Sequence, residues 1–349
     1  MCHASTHADG SYALAVRVVA AVDKFRGTAS AAEVAKAIGH ACWELGYDCE
    51  EVPVADGGEG TLDALGGANR TSTVTGPLGD PVQAEWRMQR NTAIIEMARA
   101  SGLSLVGGRG GNDAIAASTV GTGELIDQAL DLGAKKIIVC LGGSATTDGG
   151  LGAVRAIHAP NRLRGVDLLV ACDVTTLFTD AGKVFGPQKG ATPAQVKLLT
   201  GRLERTAQIY RAEFGVDVLT IEGAGAAGGL AGGLAALGGR LVPGFDLVAD
   251  ELDLYDRIVA ADVVVTGEGF LDPQSFEGKV VGRVQQMAAE LGKPVGAVVG
   301  DADPSVMHRI PNAVMAQLYG LERAFAEPLW CIEHAALELI PQLTELASH

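Results

Sequence analysis

The strongest constraint in the sequence is a join that recurs near both of its ends. A short apolar run gives way to a turn of charged residues and glycine, and then to a helix. The first such run, 15–22, meets Asp23-Lys24-Phe25-Arg26-Gly27; the helix after it opens on the capping box of Ser30 and Glu33 and stops at Gly46. A second strand, 49–54, leads into Ala55-Asp56-Gly57-Gly58-Glu59-Gly60. Towards the other end, 262–266, 294–299 and 313–318 read as strands, with a helix over 278–291 and a closing helix over 327–346. Strands separated by helices pair in parallel. Two strands at the front and three at the back therefore predict one five-stranded, doubly wound α/β domain, whose ligand site belongs at the C-terminal ends of its strands.

The middle has a different texture. Segments 71–75, 82–88 and 93–97 read as β-rich, joined by Gly-Pro and Gly-Asp-Pro turns. A helix near 120–132 precedes a buried strand at 136–141, and 166–172 is another strand. Thr192, Pro193 and Gln195 open a long helix to about Phe214, and 216–221 is strand-like. A chain of 349 residues exceeds one ordinary core. The expected division is a doubly wound domain of 13–70 plus 258–349, with a second α/β domain, 71–257, inserted into it. No fixed-period repeat is present.

Charge narrows the function. The net charge is -15 and no basic run exists, which excludes the phosphate-neutralising face of a nucleic-acid binder. An anionic ligand can still be held by a few placed cations, helix N-termini or Mg²⁺. The six cysteines, Cys2 among them, form no C-x-x-C pair, disulfide framework or zinc spacing, so a reducing cytoplasmic location is expected. The apolar run 13–22 is too short to span a bilayer, so no membrane association is expected; the residues before it read as a loose tail.

Six segments carry candidate chemistry. Leu141-Gly142-Gly143-Ser144-Ala145-Thr146-Thr147-Asp148-Gly149-Gly150 follows a buried strand and precedes a helix. Its glycines free backbone N–H groups for phosphate and its hydroxyls can donate, although Asp148 also suits plain helix capping. It is not a Walker A loop, and no protein-kinase signature is present. Lys24 and Arg26 pair two cations for a small anion, and the Arg fork suits a carboxylate. Asp56 and Glu59 can orient a hydroxyl, accept its proton or hold Mg²⁺; equally, they can cap a helix. Lys189, between glycine neighbours, can place a point charge on a phosphate. Glu268 and Asp272, with Lys279 opening the next helix, can coordinate a phosphate-bound Mg²⁺. Gly223-Ala224-Gly225-Ala226-Ala227-Gly228 matches G-x-G-x-x-G, with Asp246 and Asp250 downstream, which suits either a dinucleotide site or a tightly packed helix.

Taken together, these segments resemble the glycerate kinases of the bacterial glycerate/glucarate type. The likeness is carried by Asp23-Lys24-Phe25-Arg26-Gly27, Val54-Ala55-Asp56-Gly57-Gly58-Glu59-Gly60 and Gly142-Gly143-Ser144-Ala145-Thr146. It continues through Ala171-Cys172-Asp173-Val174-Thr175, Phe185-Gly186-Pro187-Gln188-Lys189-Gly190 and Thr266-Gly267-Glu268-Gly269, in one order over most of 18–300. The resemblance implies phosphoryl transfer from ATP to D-glycerate with Mg²⁺, giving 2-phosphoglycerate in preference to the 3-isomer. It also implies a flavodoxin-like domain with an α/β insertion and a site in the cleft between them. On that basis Lys24, Arg26 and Glu59 bind the acceptor, and Asp56 or Asp173 is its general base. Gly142, Gly143, Ser144, Thr146, Gly149 and Lys279 hold the nucleotide phosphates. Asp148, Glu268 or Asp272 binds the metal, and Lys189 or Lys279 offsets charge on the transferred group.

The chain departs from the family pattern in several places. The family often has Ser-Phe-Lys at Lys24-Phe25-Arg26, Asn at Thr147 and Arg at Phe270, and the stretch 153–166 is shorter than usual. The competing readings are a kinase of another small hydroxy acid, an NAD-dependent oxidoreductase and a catalytically dead binding protein.

Overall fold

The structure, a computed structural model, describes residues 16–347; Cys2, the expected tail and residue 15 of the expected first strand lie outside them. In chain order the strands are β1 (Arg17–Val22), β2 (Asp48–Pro53), β3 (Arg70–Thr75), β4 (Pro81–Gln89), β5 (Thr92–Glu96), β6 (Lys136–Cys140), β7 (Asp167–Ala171), β8 (Arg240–Val242), β9 (Val263–Leu271), β10 (Val295–Ala302) and β11 (Asn312–Val314). The chain divides into two compact units, one running through Asp56 and resuming at Val248, the other Gly57–Leu247.

The first unit is a five-stranded sheet in the order β2-β1-β9-β10-β11, and every neighbouring pair is parallel. Counted within the unit, that is 2-1-3-4-5, the flavodoxin-like order. Its central strands are apolar over most of their length because both faces are covered, and their charged residues lie towards the ends. Val18, Ala20, Val22, Val263 and Val265 turn to one face, where helices Ala31–Glu44 and Pro328–Ala347 supply Val34, Ile38, Ile332 and Leu339. Ala297 and Val299 alternate to the other face, against Val281 of helix Val280–Glu290.

The second unit is a six-stranded sheet in the order β3-β4-β5-β6-β7-β8. β3–β4 and β4–β5 are antiparallel and the remaining pairs parallel. Trp86, Ile95, Leu125, Ile137, Val170 and Leu230 form its main core. The long helix Pro193–Phe214 starts at the Thr192–Gln195 capping box expected from sequence.

Several elements differ from the sequence reading. The expected strand 313–318 ends at Val314, and Met315–Tyr319 turns helical, which buries Met315 in the first unit's core. A short apolar run has no periodicity to separate the two outcomes. The strand-like 216–221 is a 3₁₀ turn, Val218–Thr220, because the Asp217 side chain accepts from Leu219 N and draws the backbone out of extension. The divisions expected after 70 and 257 fall instead after Asp56 and Leu247. Leu62, from helix Thr61–Ala64, packs with Ile94, Ile138 and Leu169, which ties the residues after Asp56 to the second sheet. Helix Leu254–Ala260 lies against β1, and Arg257 pairs with Glu50 of β2.

Ile332→Ala empties a fully buried site between helix and sheet and is expected to lower the unfolding free energy by about 2–5 kcal/mol in urea denaturation. Trp43→Ala, at a side chain 80% exposed, is expected to change it by less than about 0.5 kcal/mol.

Candidate functional site

The strand ends of the first unit close round one pocket of about 560 Å³. Asp23, Lys24 and Arg26 reach it from the turn after β1, and Asp56 from the end of β2. Glu268 and Asp272 come from β9 and the residue after it, Asp301 from β10, and Lys279 from the N-cap of helix Val280–Glu290. The pocket lies where β1 runs between β2 and β9, the point at which the strand order reverses and open α/β sheets hold their ligands. Six residues expected from sequence meet here: Lys24, Arg26, Asp56, Glu268, Asp272 and Lys279.

Local bonds explain how they are held. Asp23 N donates to Gly267 O at 3.0 Å, joining the β1 turn to β9. Phe25 and Ala29 exchange backbone hydrogen bonds, and the buried Phe25 ring anchors the turn that carries Lys24 and Arg26. Asp23 Oδ1 accepts from Lys24 N at 2.7 Å and lies 3.6 Å from Lys24 Nζ. Burial raises the Asp23 pKa, with Lys24 opposing and Asp56 adding to the shift. Asp272 and Ser275 cap each other, Ser275 N donating to Asp272 Oδ1 at 3.0 Å and Asp272 N to Ser275 Oγ at 2.9 Å. Glu268 is 9% exposed, and its Oε1 is buried without a hydrogen-bond partner. Burial pushes its pKa up to about 7; Ser275 and Lys279 oppose the shift, while Asp23 and Asp272 add to it.

The remaining expected residues belong to the second unit, and most of them turn inward. Asp148 Oδ2 accepts from Thr119 N at 2.9 Å, Thr119 Oγ1 at 2.8 Å, Ser118 Oγ at 3.3 Å and Gly152 N at 3.2 Å, while Oδ1 accepts from Gly150 N at 3.0 Å. A carboxylate engaged on both oxygens by five donors does not fit a metal ligand; it bolts the loop to helix Leu151–Ala156. In the same loop Ala145 N donates to Ser101 O and Gly149 N to Gly228 O. Ser144 is 8% exposed, and the hydroxyls of Thr146 and Thr147 are buried without partners. A Cβ at Gly143 would collide with Glu59 Oε1, so a carboxylate lies over the glycine turn.

Lys189 is also inside. It is 2% exposed, and its Nζ donates to Thr146 O at 2.6 Å rather than facing solvent. Burial lowers its pKa to about 7, with Asp148 opposing. Asp173 Oδ1 accepts from Gly244 N at 2.7 Å. The G-x-G-x-x-G match is a packing device: Gly228 and Gly229 have φ of +71° and +92°, and a Cβ at Gly228 would strike Thr146 O.

Sequence reasoning missed two kinds of residue. Glu96, buried on β5, accepts from Gly60 N at 2.8 Å and Leu62 N at 2.9 Å, the capping task considered for Asp56 and Glu59. Nothing local in sequence marks it. Asp301 and the apolar side chains Leu321 and Phe325 also line the first unit's pocket. The strand-end rule could have found Asp301, since it follows the run 294–299. Among the described residues no group of three or more His, Cys, Asp or Glu side chains is arranged to hold a metal ion. Mg²⁺ commonly binds through one or two carboxylates plus substrate phosphates, and Asp272 on the pocket lining can supply one.

Asp148→Ala strands the donors around a buried carboxylate and is expected to lower the unfolding free energy by more than about 3 kcal/mol. Glu268 gives a pH signature of known sign. Its folded pKa is raised, so its contribution to stability is complete below the unfolded value and is lost as pH rises towards about 7. Glu268→Gln is therefore expected to raise the melting temperature relative to wild type at pH 8, with the advantage disappearing near pH 4.

Comparison with known proteins places the chain. The model of the glycerate kinase family matches residues 18–161 and 157–348, breaking and resuming inside the short stretch 153–166. Glycerate 2-kinase of Escherichia coli strain K12 is 40% identical over 336 residues, covering 84% of this chain and 88% of that protein. Glycerate kinase of Bacillus subtilis strain 168 is 38% identical over 367 residues, covering 92% and 94%. The crystal structure of a protein assigned as glycerate kinase 2 from Salmonella typhimurium LT2 superposes with a TM-score of 0.81 at 34% identity, covering 95% of this chain and 99% of that one. With its flavodoxin-like strand order and its cations and carboxylates gathered at the switch point, the chain belongs to the glycerate kinase family.

Proposed function

We propose that the chain transfers the γ-phosphoryl group of ATP to the 2-hydroxyl of D-glycerate, giving 2-phosphoglycerate. The observation that carries the reading is the meeting of Lys24 and Arg26 with Asp56 in one strand-end pocket of a glycerate kinase family member. Two cations next to a carboxylate suit a hydroxy acid, because the acid's carboxylate needs a positive clamp and its hydroxyl needs an acceptor for the departing proton. No helix among the described residues is long and apolar enough to cross a membrane. An ATP-dependent enzyme whose cysteines Cys42 and Cys331 stand as thiols outside any disulfide fits a cytoplasmic setting.

In this mechanism Lys24 and Arg26 hold the carboxylate of glycerate, and the rigid Phe25 anchor keeps their spacing. Asp56 accepts the hydroxyl proton. Asp173, whose Oδ1 holds Gly244 N, serves the backbone instead. Lys279 meets the charge of the transferred group at the start of its helix. Mg²⁺, when bound with the nucleotide at Asp272, supplies further neutralisation of phosphate charge. The Gly142–Gly150 loop, with Asp148 and Lys189, acts by holding the shape of the second unit. Phosphoryl transfer demands little covalent chemistry from protein groups, so positioning and electrostatics supply most of the rate.

The test is coupled ADP release with ATP, Mg²⁺ and a panel of hydroxy acids, followed by phosphorus NMR of the product. D-Glycerate is expected to give the highest kcat/KM, and the product 2-phosphoglycerate. Arg26→Ala is expected to raise the KM for glycerate by about ten- to a hundredfold, and Asp56→Asn to lower kcat by about a hundredfold or more. Turnover of another acid in preference to glycerate would discard the acceptor. Near-wild-type kcat in Asp56→Asn would discard the base.

A further inference from the structure

The pocket of the first unit contains more than a three-carbon acid requires. Beside its charged groups stands an apolar wall of Phe270, Leu321 and Phe325, which are 51%, 53% and 63% exposed. Isolated exposed apolar side chains are ordinary, but several converging on one cavity mark a ligand surface. The cavity, at about 560 Å³, lies in the range that encloses a drug-sized molecule, and glycerate would leave most of it empty.

The polar groups nearest that wall in the fold complete the description. Phe270 and Glu268 share β9, and Lys279 begins the helix that follows it. Helix Val280–Glu290 is eleven residues long and is entered through Gly278 at φ +94°, with its N-cap Lys279 on the pocket lining. Unsatisfied N–H groups and a lysine at one helix start favour phosphate. Independently, Glu268 Oε1 is a buried acceptor lacking a donor, and it lines the same pocket. A buried acceptor in that condition is satisfied by a hydroxyl brought by a ligand.

We propose that the β9–β10 side of this pocket is the subsite for a purine nucleoside triphosphate. The base lies against Phe270, Leu321 and Phe325, a ribose hydroxyl donates to Glu268 Oε1, and the phosphates lie at the start of helix Val280–Glu290 beside Lys279. The sheet order then sets the two substrates side by side. The acceptor groups Lys24, Arg26 and Asp56 follow β1 and β2; of the nucleotide groups, Glu268 and Phe270 belong to β9, Lys279 to the helix after it, and Leu321 and Phe325 to helix Leu321–Ala326 beyond β11, so the phosphates fall at the switch point between β1 and β9. Phe270 stands where the family often has Arg, so base stacking at this position is a property of this chain's own sequence.

The assignment rests on the kinase reading, and the two can fail separately. The experiment is calorimetric titration of the full chain with ADP in the presence of Mg²⁺, and in parallel with inorganic pyrophosphate. Phe270→Ala and Phe325→Ala are each expected to weaken ADP about tenfold or more, as loss of an aromatic stacking partner does, with pyrophosphate affinity unchanged and Phe270→Trp close to wild type. Both side chains are at least half exposed, so the variants are expected to fold, and their melting temperatures check it. ADP affinity at wild-type level in both alanine variants overturns the subsite, as does equal weakening of ADP and pyrophosphate. If the wild type phosphorylates glycerate while ADP binding ignores both phenylalanines, the subsite alone has failed. If no hydroxy acid is turned over while ADP binding depends on Phe270, the acceptor assignment has failed and the subsite is supported.

Discussion

The first unit depends on the parallel pairing of β9 with β1. Val18, Val19 and Ala20 lie in register with Val263, Val264 and Val265, although the whole second unit separates them in the chain. Closing so long an excursion is tolerable because loop entropy grows only with the logarithm of length. The pairing is held by burial: β1 and β9 are covered on both faces and apolar along most of their length. Its chemical consequence lies at the ends. Asp23 N reaches Gly267 O, so the turn carrying Lys24 and Arg26 is fixed beside the residue that precedes Glu268. That bond extends the β1–β9 pairing into the turn and keeps the cations next to the carboxylate of β9.

Two buried carboxylates show how the same side-chain chemistry is put to opposite uses. Asp148 is surrounded by donors from two backbone segments and two hydroxyls, so its charge is fully compensated and its role is to fix a loop. Glu268 is nearly as buried but has an oxygen with no protein partner, in a pocket shared with lysines and an arginine. Desolvation that Ser275 and Lys279 only partly offset moves its proton affinity towards neutrality, and a group left in that state is ready for a ligand. Lys189 belongs with Asp148: its ammonium is held by the Thr146 carbonyl inside the second unit.

The strand-end rule made much of the site legible. Lys24, Arg26, Asp56 and Asp272 follow a strand and Lys279 opens the helix after one, while Glu268, expected just past a strand ending at 266, lies inside β9, which runs on to Leu271; all reach the same pocket. The rule worked less well for the glycine and hydroxyl loop, where composition suited a phosphate cradle but the structure turns Thr146, Thr147 and Asp148 inward. Glycines that free the backbone for a ligand and glycines that let two backbones touch look alike in sequence; Gly228 against Thr146 is the second kind. Glu96 could not be found, because its partners Gly60 and Leu62 are brought to it only by the second sheet.

The amino-acid sequence by itself determined the alternation of strand and helix, hence the parallel sheet, the capping of helices Ala31–Glu44 and Pro193–Phe214, and a net charge of -15. Those properties follow from local periodicity, capping geometry and net charge, which need no knowledge of distant neighbours. Tertiary structure alone decided which carboxylates are saturated and which are open, where the two units divide, and that Phe270, Leu321 and Phe325 meet around one cavity. Those outcomes depend on donors and surfaces supplied by other elements of the fold, and no window of sequence contains both partners.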